Sequence, residues 1–328
     1  MFHVEHLCEV ARVLVRGCEE CSHAARAALA HCRVVAIHGP GWRYSLMPSP
    51  PASSFQREPS LEREFYSARL TRKQCISEKA QTYHLEFVLE ELDSFSFLPG
   101  QFISAVADDP AGKEQTRAYS IASAPDGNHI DLCLNRVEGG FFSNLLADLP
   151  DLPVGGALQV YGPNGFFTLR EPITDSILIA TGTGVAPMRG FLQWLFPEGG
   201  PDRSNGKHIW LVYGTRYESE IYYRDEFEAF AVRHDNFHYL PTLSRAPENW
   251  PGLRGYVQGH VARIVEQRAA RLGQPLPAPP VDPGIPPAEL RFDINAYVCG
   301  LSNMINSVRD GLKSFGWHRK QIIFERYD

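Results

Sequence analysis

The sequence predicts a chain of class β + α/β, an antiparallel six-stranded barrel followed by a doubly wound parallel five-stranded sheet. Three observations carry that prediction. Between about Leu61 and Pro172, apolar residues recur in short alternating runs separated by Gly, Pro and Asp, the pattern of a small antiparallel barrel. After Pro172, short apolar runs alternate with longer amphipathic stretches, the pattern of a parallel sheet with crossover helices. At the head of the second half, Ile177–Pro187 reads Ile-Leu-Ile-Ala-Thr-Gly-Thr-Gly-Val-Ala-Pro. Its apolar start suits a strand buried on both faces, and its end suits a tight turn into a helix.

The elements follow in order. Residues 1–60 differ from the rest and read as a tail: Ala24–Ala30 suits a helix, whereas His38–Pro59 is crowded with Pro, Gly and Ser and reads as disordered linker. Cys8, Cys18, Cys21 and Cys32 fall in it, but Cys18-x-x-Cys21 matches no standard metal-cluster spacing, so no metal site is expected. Barrel strands are expected over Phe65–Ile76, Thr82–Leu89, Gln101–Val106, Tyr119–Ala122, His129–Arg136 and Ala157–Tyr161, with a helix over Phe142–Leu149. The second half, 173–328, is expected to hold strands at Ile177–Ala180, His208–Tyr213, Phe237–Thr242, Ala296–Cys299 and Ile322–Phe324. Helices are expected at Pro187–Leu195, Asp225–Arg233, His260–Leu272 and Met304–Phe315. Met304, Val308, Leu312 and Phe315 fall on one face of the last helix, and residues 274–287 form a proline-rich insert, read as a mobile surface loop.

Composition narrows the function classes. The 328 residues are 44% hydrophobic and 21% charged, as in globular domains with proper cores. A net charge of −6 argues against nucleic acid as a partner. No apolar run approaches the roughly 18 residues of a membrane span, and the charged N-terminus lacks a secretory signal, so a cytoplasmic protein with reduced thiols is expected.

Several stretches carry chemistry. Gly182 and Gly184 let the backbone approach a ligand, and Pro187 fits a first helical turn, so this turn suits a dinucleotide pyrophosphate; an ordinary tight turn has the same look. In Arg117-Ala118-Tyr119-Ser120, an arginine able to fork onto phosphate and a tyrosine able to stack on a flat ring share one strand face. Gly139-Gly140-Phe141-Phe142-Ser143 brings glycines into a helix start, suited to a second phosphate contact. Tyr161-Gly162-Pro163-Asn164-Gly165-Phe166-Phe167 closes the barrel.

Taken in order, Arg-x-Tyr-Ser, Gly-Gly-x-x-Ser, Gly-Pro-x-Gly-x-Phe, Gly-Thr-Gly-x-Ala-Pro and a Cys-Gly before a helix resemble the ferredoxin–NADP reductase superfamily, from about Leu61 to the C-terminus. The resemblance implies an antiparallel six-stranded FAD-binding barrel, residues 61–172, followed by a doubly wound parallel five-stranded NADP-binding domain. It implies that Arg117 holds the FAD pyrophosphate, that Tyr119 stacks on the isoalloxazine next to Ala118, and that Ser120 bonds near its N5. Gly140, Phe141, Phe142 and Ser143 would contact the FAD phosphates; Thr183, Gly184 and Pro187 would hold the NADP pyrophosphate.

Ser244-Arg245, Arg254 and Tyr256 resemble the 2′-phosphate site of NADPH-using members, with Arg216 a secondary candidate at the adenosine end. A 2′-phosphate wants guanidinium and hydroxyl partners, whereas an acid there selects NAD. Pro247, Trp250 and Gly252 are also similar to NADH-using oxygenase reductases, so that alternative stays open. By the same resemblance Cys299 packs beside the nicotinamide, Tyr327 covers the flavin, and Glu325 relays protons or positions the nicotinamide; Asp328 stands where bacterial members often carry tryptophan. The implied activity is that of a ferredoxin–NADP(+) reductase. It moves hydride between NADPH and FAD and single electrons between FAD and ferredoxin or flavodoxin, with no further metal. The alternatives are an NADH-dependent oxygenase reductase component or a flavin-binding electron-transfer subunit without turnover of its own. Arg69, Arg72, Lys73, His318, Arg319 and Lys320 are expected to form a basic docking rim on a protein expected to be a monomer.

Overall fold

The computed structural model describes residues 63–149, 156–286 and 289–327. Expectations for residues 1–60, among them those for Cys18 and Cys21, lie outside these residues.

Six strands form the first sheet: β1 (Tyr66–Ser77), β2 (Thr82–Leu89), β3 (Phe102–Asp108), β4 (Glu114–Ser120), β5 (His129–Asn135) and β6 (Ala157–Asn164). Their order is β4-β3-β6-β1-β2-β5, and every pairing is antiparallel. An isolated bridge between Ile121 and Leu132 joins the two edges and closes the sheet into a barrel. Alternation in β2 explains its strength: Leu85, Phe87 and Leu89 enter a core with Ile103, Ile130, Leu158 and Val160. Helix α1 (Phe141–Asp148) lids this core with Phe142 and Leu146. The fourth strand begins at Glu114, five residues before the expected start. Glu114, Thr116, Arg117 and Ala118 are all exposed on this edge strand, so it carries no apolar alternation to read.

The second sheet runs β10-β9-β8-β7-β11-β12, all parallel: β7 (Asp175–Thr181), β8 (Ile209–Thr215), β9 (Phe237–Leu243), β10 (Leu253–Arg254), β11 (Ile294–Gly300) and β12 (Ile322–Arg326). It has six strands where five were expected. The sixth, β10, is two residues paired with Thr242 and Leu243, too short for any sequence period. Helices α2 (Val185–Leu195) and α3 (Arg224–Arg233) pack into the core on one face of the sheet. Helices α4 (Val257–Leu272) and α5 (Ser302–Ser314) fill the core on the other. Ile305, Val308 and Leu312 are the buried stripe of α5. Residues 274–286 carry no helix or strand, but they are anchored: the Ala278 amide donates to the Phe315 carbonyl at 2.9 Å.

The two sheets share a continuous core, in which Ala122, Cys133 and Phe167 pack with Phe191 and Leu192 of α2. Arg189 of α2 clamps the junction. Its Nη1 donates to Asp131 of β5 at 2.7 Å and to the Ala122 carbonyl at 2.9 Å, and its Nε donates to Glu226 of α3 at 2.7 Å. Behind it, His84 Nδ1 lies 3.0 Å from the Tyr223 hydroxyl, across the same junction. Burial pushes the His84 pKa below its ordinary 6.5, and Arg189 pushes the same way against Asp131 and Glu86.

Two outcomes are expected. Arg189→Met removes the shared cation of Asp131 and Glu226, two partly buried carboxylates, and should cost about 2 kcal/mol in urea unfolding. A depressed histidine contributes stability that is present above about pH 6.5 and lost as pH falls through the folded pKa. Acidification should therefore lower Tm, and His84→Asn should flatten that dependence in a calorimetric pH series.

Candidate active site

Strand order reverses between β7 and β11, so a crevice opens at their C-terminal ends, where doubly wound sheets bind ligands. The glycine turn 182–184 lies there. Its two glycines do different work. Gly182 has φ +55° and open space where a Cβ would stand, so it faces the crevice. Gly184 packs on the neighbouring strand, and a Cβ there would run into the Cys299 carbonyl. The second glycine thus serves strand packing rather than room for a ligand.

Four residues from distant parts of the chain meet at this point. The parallel register of β11 and β12 sets Glu325 opposite Cys299. Ser120, at the end of β4, donates from Oγ to Glu325 Oε2 at 2.8 Å. The Tyr327 hydroxyl lies 3.3 Å from Ser120 Oγ and 3.2 Å from the Thr183 carbonyl, and it also contacts the Cys299 thiol. Burial pushes the Cys299 thiol far up, with the nearby Glu325 adding to the shift, so this sulfur is a neutral thiol at ordinary pH. Burial also raises Glu325, against the stabilising bond from Ser120. The Tyr327 ring bridges the halves through its hydroxyl; residue 328 lies outside the described residues.

Two helix starts lack a side-chain cap. The N-caps of α1 and α2 are Gly140 and Gly184; neither helix start has a side-chain cap or an acid in its first turn. At α1 the leading N–H groups are therefore open to an anion, whereas at α2 the Val185 N–H already donates to the Gly182 and Thr183 carbonyls of the turn before it. By contrast, α3 carries Asp225 and Glu226 in its first turn. At α1, Phe142 sends its side chain into the barrel core and Ser143 Oγ accepts from the Val137 amide, so Phe142 has only its N–H to offer. Pro187 is the third residue of α2 and buried. On β4, Arg117 and Tyr119 share one face, with Ala118 on the other. Arg117 is exposed, and its guanidinium makes no hydrogen bond or ion pair among the described residues. Tyr119 is half-buried, and burial pushes its phenol up to about 12.

A third cluster stands at the ends of β8 and β9. The Ser244 amide donates to the Thr215 carbonyl at 2.9 Å and the Arg245 amide to the Arg216 carbonyl at 3.0 Å, so the two segments run side by side. Arg245 Nη1 donates to the Tyr217 hydroxyl at 3.2 Å and holds its pKa below the ordinary tyrosine value. Tyr217 was not singled out in the sequence; its only local signal is its place next to Arg216 at a strand end. Tyr256 is exposed. Arg254 does not join them. Its guanidinium donates to the carbonyls of Pro247, Glu248 and Trp250 at 2.8, 2.8 and 2.9 Å, and braces that loop instead of standing ready for a phosphate.

The expected basic rim is likewise corrected in its first half. Arg69 pairs with Glu90 at 2.6 Å, Arg72 with Glu86 at 2.8 Å, and Lys73 donates to the Ala147 and Leu149 carbonyls at the end of α1. Those charges are already matched by acids and by the negative helix end.

Comparison with known proteins identifies the assembly. An oxidoreductase FAD-binding domain model matches residues 67–169, and an oxidoreductase NAD-binding domain model matches residues 178–310. The ferredoxin–NADP reductase B of Sorangium cellulosum (strain So ce56) is 37% identical over 272 residues, covering 82% of this chain and all of the relative. The chain belongs to the ferredoxin–NADP reductase family. As a member it is an oxidoreductase that uses FAD and NADP(H). The electron transfer component of toluate 1,2-dioxygenase from Pseudomonas putida is also similar, at 26% identity over 80% of this chain and 67% of the relative. The Neisseria gonorrhoeae ferredoxin NADP+ reductase with bound FAD and NADP shares the fold at TM-score 0.61 and 20% identity, over 81% of this chain and 99% of that one. Among the described residues no helix is long and apolar enough to cross a membrane.

Gly184→Ala should force β11 away from the turn. The expected result is a loss of about 3 kcal/mol in unfolding and weakened nucleotide binding, read by urea titration and calorimetry. Arg254→Ala should lower Tm by a few degrees, since several loop carbonyls lose their donor.

Proposed function

We propose that this family member oxidises NADPH and passes the electrons singly to a small acidic carrier, ferredoxin or flavodoxin, as a cytoplasmic monomer. One observation carries the reading. Tyr327 ties the end of β4 to the glycine turn of the second sheet, so the ligand-facing ends of both halves meet within hydrogen-bond distance.

The residues present suit FAD. The exposed guanidinium of Arg117 offers a fork to a pyrophosphate, and the uncapped start of α1 at Gly140, Phe141, Phe142 and Ser143 offers N–H groups to the same charge. The rings of Tyr119 and Tyr327 offer flat faces for an isoalloxazine. When bound, FAD supplies the conversion between a two-electron hydride and single electrons. The chain supplies position and charge around it. Gly182 and Thr183 present the turn before α2 to the NADPH pyrophosphate, and Gly184 and Pro187 seat that turn against the sheet and in the helix. Cys299, as a neutral thiol, walls the nicotinamide position without adding charge. Ser120 links Tyr327 to Glu325, whose raised pKa lets it hold a proton next to the reacting rings.

Preference for NADPH over NADH rests on the end of β9, where Ser244 and Arg245 stand instead of an acid, with Arg216 beside them. Likeness to the toluate dioxygenase component keeps an oxygenase-type carrier as the second reading.

Anaerobic titration of the purified yellow protein with NADPH should bleach the flavin absorbance at one equivalent; a protein that takes up no flavin would sink the proposal. Arg245→Ala should raise KM for NADPH about tenfold while KM for NADH moves little. The protonated share of Glu325 falls as pH rises through its raised pKa. Turnover should therefore decline on the alkaline side of that pKa, and Glu325→Gln should remove that limb of the kcat profile.

A further inference from the structure

The turn between β1 and β2 reaches across to the nucleotide half. Lys79, in that turn, places Nζ 3.3 Å above the ring centroid of Tyr217. Arg245 lies by the same ring, with its guanidinium carbon 5.9 Å from the centroid and Nη1 donating to the hydroxyl. Arg216 is the neighbouring residue. The positive field is felt by the phenol, whose pKa is lowered by Arg245 first and by Lys79 as well.

One acid stays close to the ring, Glu220, whose charge acts on Tyr217 and Arg245 against the two cations. Glu220 spends Oε2 on the backbone amides of Arg216 and Tyr217, at 3.1 and 3.4 Å. Glu218 is paired with Arg224 at 2.8 Å. Lys79 and Arg216 make no ion pair among the described residues. A π face accepts no N–H bond from the ammonium in the ordinary sense, so Lys79 keeps donors to give. Tyr217 likewise accepts from Arg245 and keeps its own proton to donate. An ammonium, a guanidinium group and a hydroxyl donor around one ring suit a phosphate monoester.

We propose that Lys79, from the flavin half, is a specificity-determining residue for the 2′-phosphate of NADPH, acting with Tyr217 and Arg245. The proposal rests on the reading that NADPH binds at the ends of β8 and β9. It makes that subsite a composite of both halves, closed by a residue more than a hundred positions away from the strand ends that carry the arginines.

The test is calorimetric titration of the full-length, FAD-loaded protein with 2′-phospho-AMP and with 5′-AMP. Lys79→Met should weaken 2′-phospho-AMP about fivefold and 5′-AMP less than about twofold. Lys79→Arg should keep most of the wild-type affinity, and Lys79→Glu should weaken it further than Met does. Added salt should shrink the spread of the series, since the group is exposed. Equal weakening of both nucleotides by Lys79→Met would show a mere clamp between halves and overturn the proposal. So would an unchanged 2′-phospho-AMP affinity while Arg245→Ala weakens it, which leaves the NADPH reading standing. If neither variant affects 2′-phospho-AMP, the placement of NADPH itself is wrong.

Discussion

The docking of α2 on the barrel sets everything else. That helix starts at the glycine turn and lies against the end of the flavin half. A Cβ on Gly190 would stand 2.8 Å from the Ser123 carbonyl, so the helix backbone rests directly on the barrel backbone. Arg189, one residue earlier, spans Asp131 and Glu226. Close packing excludes water from this contact, and the clamp satisfies charges that burial would otherwise penalise. Because the same helix carries the turn at its start, its seating determines where Thr183 stands relative to Ser120. The distances that join Ser120, Glu325, Tyr327 and Cys299 follow from that placement.

Burial at this junction also decides protonation. Cys299 and Tyr327 are held neutral by desolvation, while Glu325 is pushed toward its acid form in spite of the Ser120 hydroxyl. A site with neutral walls and one proton-holding carboxyl suits hydride chemistry, in which no base need attack and charge must stay balanced. On the proposed reading, nucleotide charge would be met elsewhere, at the start of α1, at the glycine turn and at Arg245 beyond β9. Charge recognition and redox chemistry would, on that reading, be separated in space.

Much of this was legible in the residues. The alternation of Leu85, Phe87 and Leu89 marks a strand of the barrel, and the apolar run into Gly182 marks the first strand of the parallel sheet. Each is a local consequence of backbone period and burial. Less was legible at the edges. Strand β4 is exposed over most of its length, and β10 is two residues long, so neither leaves a period to detect. Arg254 and Arg245 look alike in sequence; one faces three carbonyls of a loop and the other faces a phenol.

By itself, the sequence determined the two-part order of elements, the glycine turn and the short motifs beside each helix start, because these depend on residues within a few positions of each other. Tertiary structure alone decided which cations remain available. Arg69, Arg72 and Arg254 are engaged by partners that the fold brings to them, and Lys79 meets Tyr217 only because the two halves are docked. Hydrogen bonds and ion pairs are short-ranged in space and indifferent to separation along the chain, so no reading of neighbours can assign them.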